Sequence, residues 1–133
     1  MNSPYKKHIL NWSKKRLLCF ENNKFNSLLI QETLLPTGIV IDFCLGKCNN
    51  CDNCSQPSGY DIILLNIQNS FKHIDSILKN FEEFSSFPPV IAFTSVPKDD
   101  LSIGNILVKH VKEYLLLPLG ENTLKNTLIK YLD

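Results

Sequence analysis

A chain of 133 residues, 44% hydrophobic and 20% charged, has the length of one domain and the composition of an ordinary folded protein, which excludes a disordered or fibrous chain. Its 14 Lys plus Arg against 13 Asp plus Glu leave a net charge of +1, so no global field draws it toward nucleic acid or an anionic membrane. No stretch approaches the roughly 18 apolar residues of a membrane span and the start lacks a signal peptide's apolar core, so the chain is read as cytoplasmic, without direct membrane contact.

In chain order, 1–15 is polar and basic around the anchors Ile9, Leu10 and Trp12. It is expected to be a linker or docking helix ahead of a domain spanning 16–133. Arg16–Phe20 reads as a first strand. Asn22 and Asn23 then act as helix-capping residues, and Phe25, Leu28, Leu29, Glu32 and Leu35 follow at helical spacing until Pro36 and Gly38 end the helix. Ile39–Phe43 is a β-branched run and reads as strand two. After the cysteine segment, Tyr60–Ile67 is a nearly continuous apolar run, expected to be the central strand because a strand covered on both faces has no polar side.

The spacing then predicts a helix over 70–81, strand four at Val90–Thr94, and a weaker helix over 99–110 interrupted by Gly104. Strand five is read at Glu113–Leu117, and a closing helix at Glu121–Leu132 with Leu124, Leu128 and Leu132 inward. Alternating strands and helices predict an α/β doubly wound, five-stranded parallel sheet of flavodoxin-like order 2-1-3-4-5, with any site at the carboxyl ends of its strands.

Those ends carry a resemblance. LLCFENNKFNSLLIQETL, YDIILLNIQNS, PPVIAFTS and EYLLLPLG, taken in order and spacing, resemble a CheY-like response-regulator receiver domain of two-component phosphorelays. The resemblance implies an acidic pair at Glu21 and Asn22, a phosphoacceptor position at Asn66, a switch hydroxyl at Thr94 and a lysine position at Leu117. In a working receiver an aspartate attacks phosphorus, further carboxylates hold magnesium, and a lysine and a hydroxyl answer the phosphate.

The departures are chemical. Asn66 offers an amide, whose nitrogen lone pair is delocalised and whose oxygen is a poor nucleophile, so no acyl phosphate forms there. Asn22 has lost one acid of the pair, which leaves magnesium binding weak or absent, and Leu117 brings no ammonium. Asp61, the alternative acceptor, lies at the start of its strand, about 16 Å from Asn66 at roughly 3.3 Å per residue. A degenerate pseudo-receiver is therefore expected, with Glu21, Asn22, Asn66, Thr94 and Leu117 as a vestigial phosphorylation site and no catalytic residue or cofactor.

Within receivers the pattern is most similar to the first receiver of tripartite hybrid sensor histidine kinases of the GacS/BarA type, with a Phe soon after strand three and a last strand ending in LxPL. That resemblance implies a piece of a membrane-anchored sensor, lying between a kinase core and a second receiver. Its expected partners are that kinase core or the downstream receiver, with a homodimer through the last helices and strand as a further arrangement.

Cys44, Cys48, Cys51 and Cys54 place four thiols within eleven positions, the ligand number and type of a tetrahedral zinc site. The spacing matches none of the common zinc patterns. Cys44, Cys48 and Cys51 would also share one face of a helix as small core residues. Both readings stand, so a metal or thiol-redox sensor is the alternative function. His8, His73 and His110 are scattered, without an acidic partner to orient an imidazole.

Overall fold

The computed structural model describes residues 10–44, 59–67, 88–95 and 111–133. Three of the five apolar runs make up the sheet's interior. β1 (Arg16–Phe20), β3 (Ile62–Asn66) and β4 (Val90–Thr94) are buried along almost their whole length, while β2 (Val40–Cys44) and β5 (Val111–Leu116) are only partly covered. Strands inaccessible on both faces are mostly apolar, which is why β3 and β4 read as continuous runs that turn polar only at their last residues, Asn66 and Thr94. All neighbours pair in parallel, in the order β2-β1-β3-β4-β5. The expected order is the observed one, and β3 is central.

Two described helices accompany the sheet. α1 (Lys24–Leu34) begins at Asn23, whose side chain accepts from the Asn26 backbone N–H at 3.0 Å, and it runs on into a single 3-10 turn, Leu35–Thr37. That turn stops at Gly38, whose φ of 78° lies in the left-handed region that glycine adopts without cost. α2 (Glu121–Leu132) buries Leu124, Leu128 and Leu132, as its spacing predicts, and Thr127 as well.

Side chains alternate across a strand, so one set of residues faces these helices. Leu17, Cys19, Ile62, Leu64, Ile91 and Phe93 from the strands form one core with Ile30, Leu34, Leu124, Leu128 and Leu132. A one-residue slip would move that whole set to the other face, so burial and register specify each other. Leu18, Phe20, Ile63, Leu65, Val90 and Ala92, on the second face, are equally inaccessible.

Four boundaries or faces differ from the sequence reading. β2 is displaced by one residue, since Ile39 is spent in the exit from the Gly38 turn. β3 starts at Ile62 because Tyr60 and Asp61 are engaged around Arg16. β5 starts two residues earlier and ends one sooner than read, because a bulge lets Val111 pair with Val90 and Glu113 with Ile91, passing over Lys112. On α1 the stripe read from spacing is not the buried one. Phe25, Leu28 and Leu35 are 74%, 51% and 72% exposed, whereas Ile30 and Leu34 face the core.

Within the expected leader, Leu10–Lys15 is packed onto the domain, with Trp12 in the core. The helices expected over 70–81 and 99–110 lie outside the described residues.

Candidate functional site

Parallel strands bring all their carboxyl ends to one edge of the sheet, and three of the five positions singled out above converge there. Glu21 follows β1 directly, Asn66 ends β3 and Thr94 ends β4; all three are at most 1% exposed. Register sets their spacing. Phe20 pairs with Leu65, so the next residues, Glu21 and Asn66, fall side by side. The backbone N–H of Glu21 donates to the Cys44 carbonyl at 3.2 Å, which carries the β1–β2 contact one residue past the strand.

The Asn66 amide nitrogen donates to both carboxylate oxygens of Glu21, at 2.7 Å to Oε2 and 3.1 Å to Oε1. A carboxylate only accepts, so the amide nitrogen is the end of Asn66 that must face it; the opposite orientation would oppose two oxygens. Hydrogen bonds to an ionised acceptor are about twice as strong as neutral ones, and a buried site sharpens this. The amide nitrogen therefore spans both oxygens of the Glu21 carboxylate.

Thr94 contributes its carbonyl to the Leu117 backbone N–H at 2.8 Å. Leu117 itself turns into the core shared with α1 and α2, so an apolar residue at that position is accounted for by packing. Asn22 is exposed and outside the buried pair, while its neighbour Asn23 caps α1. Of the five positions, Glu21, Asn66 and Thr94 are gathered at the buried edge, Leu117 is joined to it through backbone alone, and Asn22 is not brought in.

Cys19 lies on β1 just before this edge. Burial pushes its thiol well above the ordinary range, and the neighbouring Glu21 and Cys44 charges push it further in the same direction. Such a thiol stays protonated and inert. Cys44 is buried at the end of β2; Cys48, Cys51 and Cys54 lie outside the described residues, as do His8, His73 and His110. Among the described residues no group of three or more His, Cys, Asp or Glu is placed to hold a metal. Asp61, the alternative acceptor, is at the far edge of the sheet, where its carboxylate accepts from the Arg16 backbone N–H at 2.8 Å.

Sequence reasoning missed Tyr114. It pairs with Ala92 on β4, on the same face as Thr94, and burial pushes its phenol pKa up. The signal was available: once Leu116 is set opposite Thr94, the parallel ladder places residue 114 opposite residue 92.

No protein-family model matches the chain, and no curated protein is similar to it. Its likeness is to solved structures. A CheY-like response regulator receiver domain from Methylobacillus flagellatus superimposes with a TM-score of 0.65 at 19% identity, over 88% of this chain and 98% of the other. A two-component response regulator from Clostridium difficile gives 0.63 at 23% identity, over 89% and 95%. The Saccharomyces cerevisiae co-crystal structure of the histidine phosphotransfer protein Ypd1 with the receiver domain of Ssk1 gives 0.70 at 15% identity, over 95% and 92%. The chain has the CheY-like flavodoxin fold of these receiver domains.

Proposed function

We propose that this chain is a non-phosphorylatable pseudo-receiver, a regulatory protein-binding module of two-component phosphorelay signalling. The observation that carries the reading is the buried Asn66–Glu21 pair. At the strand end where a receiver's chemistry would need two or three carboxylates around a cation, one carboxylate is held by a neutral amide. That amide can neither attack phosphorus nor supply a second charge. Magnesium binding is weak or absent on this reading, and Leu117 leaves no ammonium for a phosphoryl group.

A module without the chemistry still acts by binding, since a two-state partner is biased by whatever contacts one state better. The Ssk1 receiver, of the same fold, is crystallised with a protein partner. For this chain the proposed partners are the kinase core or downstream receiver of a membrane-anchored hybrid sensor kinase of the GacS/BarA type, met in the cytoplasm. The proposed contact face is β5 and α2 with the segment before β5, which would also serve a homodimer.

The test is intact mass after incubation with acetyl phosphate and magnesium, for the native chain, Asn66→Asp, and the Asn66→Asp, Asn22→Asp, Leu117→Lys triple variant. The native chain is expected to gain no adduct and the triple variant to gain one phosphoryl group. Asn66→Asp by itself sets two carboxylates about 3 Å apart in a buried site, where both cannot stay charged without a cation. Its thermal midpoint is expected to fall in EDTA and to recover with magnesium. A phosphoryl adduct on the native chain overturns the proposal.

A further inference from the structure

Trp12 precedes the sheet, yet it is 2% exposed and belongs to the same core as Leu34, Leu128 and Leu132. Its backbone N–H donates to the Thr37 carbonyl at 2.7 Å, in the turn that ends α1, and its carbonyl accepts from Lys15 at 2.9 Å. The Lys15 carbonyl accepts in turn from Val40 at the start of β2, at 3.1 Å. Between them, Asn11 holds a turn by accepting from the Ser13 backbone N–H at 3.2 Å and hydroxyl at 2.8 Å. Gly38 lets this segment lie close, because a Cβ there would meet the Ser13 Cβ at 3.3 Å.

The indole N–H of Trp12 then reaches across 121 positions of sequence to donate to the Asp133 carboxylate at 2.7 Å, just beyond α2. One residue thus joins the exit of α1 and the entry to β1 through its backbone, and the end of α2 through its side chain. The sheet ladder does not need it: β1 pairs with β2 from Arg16 and with β3 from Leu17. Among the described residues, the last turn of α2 is held by Leu132 in the core, by Ile129 and Tyr131 packed against it, and by the bonds of Lys130 and Tyr131 to Glu113.

We propose that Leu10–Lys15 is a conformational strap that holds the last turn of α2 through the Trp12–Asp133 hydrogen bond. Its release frees that turn while the sheet stays folded. Local openings of this kind release one unit of a fold while the rest stays formed. The strap couples the chain ahead of Leu10 to α2, so displacement at one is felt at the other. The coupling is independent of the signalling function proposed above, and its failure would leave that reading intact.

The chain has one Trp, so acrylamide quenching of its emission reports the strap alone, while hydrogen exchange reports α2 and the sheet separately. Asp133→Leu removes the acceptor, Asp133→Asn keeps a weaker one, and Trp12→Phe removes the donor but retains a ring. Asp133→Leu is expected to raise quenching several-fold and to lower amide protection over Ile129–Leu132 about tenfold, as for loss of a hydrogen bond to a charged group. Protection of β3 should be unchanged and the effect of Asp133→Asn smaller. Trp12→Phe should lower α2 protection to the same extent, and the double variant Trp12→Phe, Asp133→Leu no further. Unchanged quenching and unchanged α2 protection would overturn the proposal. So would a parallel loss of protection across β3 and β4, because Trp12 would then open only with the whole core.

Discussion

The two edges of this sheet use acidic residues in opposite ways. Where the strands begin, Arg16 meets Asp42 at 2.9 Å with its side chain 45% exposed, lies over the Tyr60 ring at 4.6 Å to the centroid, and donates its backbone N–H to the Asp61 carboxylate. The Tyr60 hydroxyl donates to the same Asp42 at 2.7 Å. The Arg16–Asp42 pair there is partly open to water. Where the strands end, Glu21 is wholly buried against the Asn66 amide. An exposed network fixes how three strands start at little cost, whereas a buried carboxylate stays only while its partners stay. The residue types alone would suggest the reverse, since Asp61 is a carboxylate on the same run as Asn66; place along the strand decides which of them bears on a site.

The largest effect should come from the buried edge. Asn66→Leu removes the amide and leaves Glu21 short of a partner in an inaccessible position, a loss of about 3 kcal/mol. It should appear as a lower urea midpoint at unchanged m. A loss no larger than that of an exposed substitution would remove the distinction between the edges. At the other edge, Asp42→Ala and Asp61→Ala should each cost less than about 1 kcal/mol, the ion pair being discounted for its exposure. The Asp42 effect should shrink in high salt, and that of Asp61, a bond to a backbone N–H, should shrink less.

The smallest effect is alkaline. Burial raises the Tyr131 pKa, and the hydrogen bond to Glu113 and the charge of Glu113 raise it further. A phenol whose folded pKa exceeds its unfolded one contributes stability that is fully present below pH 10 and is lost as pH climbs through the folded value. Urea midpoints should therefore fall more steeply above pH 10 for the native chain than for Tyr131→Phe. Equal slopes would mean that this contact adds nothing to the β5–α2 packing.

Much of the fold was legible in sequence for specific reasons. β1, β4 and α2 have the bounds that their patterns predict, because each is an uninterrupted apolar or four-spaced run with a clear boundary residue. The face of α1 was not legible. Phe25, Leu28 and Leu35 make one apolar stripe and Ile30 with Leu34 another, and periodicity has no means to choose between them. Only the position of the sheet does, and it selects the second. The start of β5 was hidden for a similar reason, since a bulge is a property of two strands and not of one.

The candidate site divides along the same line. Residue identity carries the proposed chemistry: an amide at position 66 and a leucine at 117 are what they are in any fold, and the proposed loss of phosphoryl chemistry rests on them. The parallel order followed from the alternation of strand and helix patterns. Tertiary structure decided that Glu21 and Asn66 meet side by side, that Leu117 faces the helices, and that Trp12 bonds to Asp133. Each is a contact between residues distant in sequence, and such pairs are set by register and packing, which no local pattern encodes.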